Sequence, residues 1–402
     1  MSGGTLLDLI LGLVLLGYAI NGYRQGLVVS ALSLLGFLGA GALALGLLPT
    51  LVQHWVWLQD REVVRIVVLV FGVFLVASLG QALMVSLGNR VRSRVRARSL
   101  RTLDALLGAV AVAAAVSVLL WFVAASVRPA APPPLARAIG ESQLLGTIDR
   151  VVPPQTGRLF AGFRTMLDRN GFPRVFDGLS PEPIAPVQPP DDSPSASAAV
   201  RSAGASMVKI TGVAQACNRG QEGSGWVIAP GRVVTNAHVV AGMETPAVRV
   251  RGVGPAYDAT VVAFDPQRDL AVLDVPGLEA PALRLGPPLT ANDNAVVAGF
   301  PLDGPYRLDS ARVRRIIDAT GSDIYGQPGI DREIYSLYAR VEPGNSGGPL
   351  LSTAGQVVGI VFAKSLDDDS TGYALTLSEA KPVLDAAASA SRPVTTGACS
   401  AG

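Results

Sequence analysis

Gly344-Asn345-Ser346-Gly347-Gly348-Pro349-Leu350 decides the fold of the second half of this chain, once it is paired with Thr235-Asn236-Ala237-His238-Val239-Val240 about a hundred residues upstream. Serine hydrolysis needs a hydroxyl that a neighbouring base can deprotonate. The chain has two histidines, His54 and His238, and His54 lies among apolar segments near the N-terminus. His238 is therefore the one candidate base for Ser346 in the polar half, and an apolar run leads directly into it. Gly347 and Gly348 leave room around the serine, and Gly344 permits a backbone turn that a side chain would block. The amides of Gly344 and Ser346 would then point into one oxyanion hole.

The orienting acid is expected at Asp269, which opens Asp269-Leu-Ala-Val-Leu273 directly before an apolar strand. Asp265, a turn residue before Pro266, and Asp274, on a strand, are the alternatives. The order His238, Asp269, Ser346 is that of chymotrypsin-type enzymes; alpha/beta-hydrolases and subtilisins order their triads differently. Around these residues, β-branched runs at 208–213, 226–228, 232–235, 248–251, 260–264, 270–275, 295–299, 334–341, 357–362 and 373–377 alternate with Gly, Pro and Asp turns. This spacing predicts an all-β domain over 201–402, with two six-stranded barrels and a short helix at 378–388. The walls of the specificity pocket are expected in 338–342, 360–364 and 371–374. Arg340 and Glu342 either face that pocket or are surface charges.

The first 127 residues differ sharply in composition. Apolar stretches at 6–19 (extending to 21), 27–48, 63–87 and 105–127 suit membrane spans of about 20 residues. No basic region precedes Leu6 and three more spans follow, so a cleaved signal peptide is not expected. The 88–102 loop carries six arginines and no acid, which places it in the cytoplasm. The 50–62 loop, with Trp55 and Trp57, reads as an outer interfacial loop. Both the N-terminus and everything after Val127 then lie outside the cytoplasm. Asp8, Arg65 and Asp104 near span ends read as interfacial groups or as polar contacts between helices. Gly12, Gly17, Gly36, Gly39, Gly41 and Gly46 allow close helix packing.

Residues 128–200 form an extracytoplasmic linker. Leu144, Leu145, Ile148, Val151 and Val152 line one helix face and Leu159, Phe160, Phe163 and Leu167 another. Residues 181–199, rich in Pro, Ser, Ala and Asp, read as a flexible tether. The only cysteines, Cys217 and Cys399, both fall on the oxidising side of this topology. A disulfide is expected, closing a loop of about 180 residues; the alternative is two unrelated thiols. The net charge of +2 and the lack of a basic cluster in the C-terminal half exclude a nucleic-acid binder. No cofactor or metal is expected.

The motifs Thr-Asn-Ala-His-Val-Val, Asp-Leu-Ala-Val-Leu and Gly-Asn-Ser-Gly-Gly-Pro-Leu are similar to those of the trypsin-like HtrA proteases. About 15 residues follow the last predicted helix, so no PDZ domain is expected. The first third resembles the colicin V production protein family through Asp8, Gly22, Gly26 and Arg101-Thr-Leu-Asp104. The whole layout resembles the MarP family of four-span, membrane-anchored periplasmic serine proteases. That resemblance implies cleavage of cell-envelope proteins, among them peptidoglycan hydrolases, in acid and oxidative-stress resistance. It also implies self-cleavage in the linker, and it fits a Cys217–Cys399 disulfide. The partners would be such substrates and the lipid bilayer, with no nucleic acid. A different class of function, a membrane sensor or scaffold that binds peptides without catalysis, is the alternative. A histidine base works only while neutral, so activity in acid would require a neutral His238 or another route of activation, such as redox state.

Overall fold

A computed structural model describes residues 3–52, 62–93, 98–128, 131–151, 172–217, 219–387 and 390–400. The outer loop with Trp55 and Trp57, the centre of the arginine-rich loop, and the helix face at Val152 to Leu167 lie outside the described residues. The chain divides into two compact units, Leu6–Phe122 and Val123–Gly402, the latter joined by Met1–Thr5.

The first unit is helical: α1 (Gly3–Val52), α2 (Glu62–Ser93) and α3 (Arg98–Val127). The first two apolar stretches run through a single helix, which loses helical geometry at Gly26 with φ 77° and ψ 168°. Gly3–Gly41 and Leu100–Ala125 are long and apolar enough to cross a membrane among the described residues. Glycine lets these helices touch backbone to backbone: Gly22 lies against Gly108 and Gly36 against Gly80, with no room for a Cβ at any of the four. In lipid, where water cannot drive apolar association, such close packing supplies the attraction. Asp104 does not reach outward as an interfacial group. It accepts Val28 N–H at 3.1 Å, next to the break at Gly26, and pairs with Arg92 at 3.0 Å. A backbone amide freed by a helix break needs an acceptor, and this carboxylate provides it.

The second unit opens with α4 (Pro133–Glu141) and α5 (Gln143–Val151). Thirteen strands follow among the described residues: β1 (Met207–Ala214), β2 (Arg219–Ala229), β3 (Arg232–Thr235), β4 (Ala247–Val250), β5 (Tyr257–Asp258), β6 (Thr260–Asp265), β7 (Leu270–Asp274), β8 (Asn294–Gly299), β9 (Arg307–Ser322), β10 (Pro328–Tyr338), β11 (Pro349–Ser352), β12 (Val357–Lys364) and β13 (Thr371–Thr376). A helix at Leu377–Ala387 closes the set. The first half is a seven-stranded sheet, β5-β4-β1-β2-β3-β7-β6, where a six-stranded barrel was expected; the second is a closed six-stranded barrel, β10-β13-β12-β11-β8-β9. One core, around Val208, Val227, Val233 and Leu273, belongs to the first sheet; the other, around Tyr335, Phe362 and Leu375, fills the barrel and takes in Trp226 and Val234 from the first sheet.

The 16-residue β9 has no counterpart among the β-branched runs. Its outward face is charged rather than alternating, because it faces another stretch of chain. Arg312 pairs with Asp191 at 3.0 Å, Arg314 donates to the Ala185 carbonyl at 2.7 Å, and Arg315 donates to that of Pro183 at 2.9 Å. Further along, Asp177 N–H donates to Thr320 and Ser322 N–H to Arg174, at 2.9 and 3.1 Å. Phe172, Val175 and Val200 are buried in the barrel core. The stretch that reads as a flexible tether is thus laid along the barrel wall.

Cys217 and Cys399 are joined, with Cα atoms 6.4 Å apart, at a sequence separation of 182. The bond ties the C-terminal tail to the first sheet, where Val394 N–H donates to Val261 at 2.9 Å and Thr396 Oγ1 to Met243 at 2.8 Å. Cys217→Ser is expected to lower the unfolding free energy of the oxidised protein by about 2–5 kcal/mol, as loss of a long-loop cross-link does. Denaturant titration of the mutant against wild type, with and without reductant, measures it; the two should coincide once both are reduced.

Candidate active site

The Thr235-Asn236 step ends β3, and a single helical turn, Ala237–Val240, carries His238. Asp269 sits in the turn between β6 and β7, with φ 56°, a left-handed conformation that aspartate tolerates better than most residues. Because β3 pairs with β7, Thr235 lies opposite Ala271, and this register brings Asp269 beneath the histidine. One carboxylate oxygen of Asp269 accepts from His238 Nδ1 at 2.7 Å, and the other accepts the His238 backbone N–H at 2.9 Å. Asp269 is wholly buried and His238 is 8% exposed. With Nδ1–H given to the carboxylate, Nε2 is the nitrogen left as acceptor.

The two alternative acids are occupied elsewhere. Asp265 accepts the amides of Gln267 and Arg268 in a turn, and Asp274 pairs with Arg232 at 3.0 Å. Two further supports were not visible in the motifs. Asn236 Nδ2 donates to the Asp269 carbonyl at 2.7 Å. The guanidinium of Arg332, 2% exposed, donates to the carbonyls of Gln267 and Ser322. Burial pushes this guanidinium below its usual range while the Asp269 charge holds it up. Only long-range contacts mark Arg332, so no local pattern could have singled it out.

Ser346 comes from the other half. Gly344 has φ 92° and Gly347 φ 81°, which L-residues adopt only under strain. A Cβ at Gly344 would collide with the Phe300 carbonyl, and one at Gly347 with the Ser224 carbonyl and Thr235 Oγ1. The loop is stitched to both halves. Ser346 accepts Ser224 N–H at 2.8 Å, Gly347 N–H donates to Val361 at 2.9 Å, and Asn345 Oδ1 accepts Glu342 N–H at 2.9 Å. Ser224 Oγ donates to the Gly344 carbonyl at 2.6 Å and accepts Phe300 N–H at 2.9 Å. This hydroxyl turns the Gly344 carbonyl toward β2. Among the described residues the amides of Gly344 and Ser346 make no hydrogen bond. Nor does Ser346 Oγ bond His238 Nε2 in this substrate-free geometry, a contact that commonly tightens only when substrate binds. Arg340 is a surface charge, its side chain 77% exposed, and Glu342 is neutralised by Arg340 and Arg307 at 2.9 and 2.8 Å. Val341, by contrast, is buried against Gly372.

Residues 223–360 match the trypsin-like peptidase domain family and residues 7–153 the Colicin V production protein family. Serine protease Rv3671c of Mycobacterium tuberculosis (strain H37Rv) is 35% identical over 384 residues, covering 95% of each chain. The chain belongs to the MarP family. A crystal structure of the Rv3671c protease in its active form, 41% identical, superposes with a TM-score of 0.53 over 56% of this chain and 99% of that one. A probable periplasmic serine endoprotease, DegP-like, of Brucella suis is 35% identical over 171 residues, covering 41% of this chain and 32% of its own. This MarP-family chain is a serine endopeptidase, a hydrolase.

Asp269→Asn is expected to lower kcat by about 10³–10⁴-fold, because an amide can offer its NH2 to Nδ1 and so favour the wrong tautomer. Steady-state hydrolysis of a peptide substrate measures this, with KM expected to change far less than kcat.

Proposed function

We propose that this protein is a membrane-tethered serine endopeptidase whose catalytic set is Ser346, His238 and Asp269, with the amides of Gly344 and Ser346 as the oxyanion hole. The observation that carries the assignment is the pair of hydrogen bonds that Asp269 accepts from His238, which leaves Nε2 as the ring nitrogen available to Ser346. Ser346 Oγ attacks the peptide carbonyl carbon as its proton passes to His238 Nε2. The carbonyl oxygen takes the negative charge into the two amides. Collapse expels the amine, which receives the proton from His238, and leaves an ester on Ser346. Water, deprotonated by the same nitrogen, hydrolyses that ester and restores the hydroxyl.

Four membrane spans, with the protease outside the cytoplasm, fit the apolar stretches, the arginine-rich loop and the disulfide. The seven-stranded sheet takes the place of the first barrel of a chymotrypsin-like pair. The family resemblance supports cell-envelope proteins as substrates, peptidoglycan hydrolases among them, together with a role in acid and oxidative stress and self-cleavage between residues 128 and 200. In the oxidised full-length protein a fluorophosphonate should label Ser346 and no other residue, and Ser346→Ala should abolish both labelling and peptide hydrolysis. Peptide binding by a wild-type protein that neither labels nor hydrolyses would favour the scaffold reading instead.

A further inference from the structure

Arg128 directly follows the last residue of α3, yet it is only 5% exposed. Its guanidinium donates to both carboxylate oxygens of Asp367, at 2.8 and 2.9 Å, across 239 residues of sequence. Asp367, 3% exposed, lies in residues 365–370, the connection from β12 to β13. Arg137 of α4 donates to the Asp367 carbonyl at 2.9 Å, and Gly140 gives α4 room to pass the Arg128 guanidinium.

A second arm reaches the same connection. Glu182 N–H donates to Asp367 Oδ2 at 2.8 Å. The Glu182 carboxyl accepts Leu366 N–H at 3.2 Å, Tyr373 O–H at 2.9 Å and the Ser365 hydroxyl. Ser365 Oγ in turn accepts the amides of Asp367 and Asp368, both at 3.0 Å. A tether requires none of this. Burying an ion pair adds little net stability, and its best-attested use is to specify one arrangement.

The arrangement specified borders the proposed site. Gly347 N–H donates to the Val361 carbonyl of β12 at 2.9 Å, and Val361 N–H donates to Gly348 at 2.8 Å. At the far end of the connection, Ala339 N–H donates to Ser370 at 2.9 Å, and the Val341 side chain fills the space that a Cβ on Gly372 would need. Ala339 and Val341 belong to the run that leads into Ser346.

We infer that Arg128 and Glu182 are positioning residues for the substrate cleft: through Asp367 and Ser365 they set residues 365–370, and through Ser370 and Gly372 they set the wall beside Ser346. The inference rests on the endopeptidase reading above. It makes the chain between the last span and residue 200 a working part of the protease.

The clamp also responds to protons. Burial, more than any other cause, raises the Glu182 carboxyl above the usual carboxylate range, and the Asp367 charge adds to it; the bonds from Ser365, Leu366 and Tyr373 oppose the shift. Arg128 and Arg137 face Asp367, and the Arg314–Asp368 pair at 3.5 Å stands beyond it, so among the described residues no cation is paired with Glu182. A carboxyl whose folded pKa lies above its unfolded value stabilises the fold fully below the unfolded pKa. That contribution is lost as pH rises through the folded pKa. The clamp therefore tightens as pH falls and loosens as pH rises through the raised Glu182 pKa.

The test uses full-length protein in lipid nanodiscs, with peptide hydrolysis and fluorophosphonate labelling of Ser346 followed from mildly acidic to mildly alkaline pH. Arg128→Met and Glu182→Ala are expected to raise KM by about tenfold while labelling by the small probe stays within about threefold; Arg128→Lys should recover part of the loss. Wild-type KM should rise with pH, and Glu182→Gln should flatten that rise. Wild-type KM in both Arg128→Met and Glu182→Ala at every pH, with labelling intact, would overturn the inference. If those two variants lose labelling altogether, Glu182→Gln decides: a flattened profile supports the clamp and an unchanged profile rejects it. Failure of the wild type itself to label or hydrolyse would instead remove the endopeptidase reading, and this inference with it.

Discussion

A carboxylate with no exposure to solvent has to find donors inside the protein or lose its charge. Asp269 finds two, and both belong to His238. That single residue therefore receives the ring and the backbone of the proposed base together, so the imidazole can neither swing nor take the other tautomer without stranding a buried charge. The turn that holds Asp269 is fixed in its own right, by Asn236 on its carbonyl and by Arg332 on the neighbouring Gln267 carbonyl. Arg332 stands on β10, a strand of the closed barrel. The proposed base and its acid come from the half built on the seven-stranded sheet, so one of the groups that steady them crosses from the other half.

The serine approaches this pair under a different constraint. Its loop fits because Gly344 and Gly347 take conformations and contacts that no side chain permits, and because the Ser224 hydroxyl fixes the direction of the Gly344 carbonyl. Ser224 belongs to β2 of the first sheet and hydrogen-bonds to both ends of the glycine-rich loop, at Gly344 and at the Ser346 carbonyl. Seen this way, Gly223-Ser224-Gly225 is as much a part of the site as the motif around the serine.

The three motifs were legible because each is local: a glycine pattern, a histidine after an apolar strand, an aspartate before one. Strands with alternating or β-branched runs were legible for the same reason. Long-range contacts were not. β9 carries Arg307, Arg312, Arg314 and Arg315 and lacks apolar alternation, since what covers it is a proline-rich stretch bound by backbone carbonyls and Asp191. That stretch, without helical or strand period, reads as unstructured because its order is supplied by distant partners, β9 and residues 365–367 among them. Asp104 is a similar case. An acid near a span end looks interfacial until the break at Gly26, 78 residues earlier by position in the chain, presents an amide in need of an acceptor.

The two ends of the extracytoplasmic chain finish the molecule in complementary ways. The C-terminal tail runs back to the first sheet and is bonded to it through Val394, Thr396 and Cys399. The segment upstream of residue 200 runs along the closed barrel and enters its core with Phe172, Val175 and Val200. The two straps thus start from opposite ends of the protease, and the tail also reaches the β9–β10 connection, where Gly397 lies against Tyr325. Residues drawn from both halves have to meet for acyl transfer, and in such sites sub-ångström placement governs rate. One strap is a covalent disulfide; the other is a buried cluster of carboxyls and arginines around Asp367.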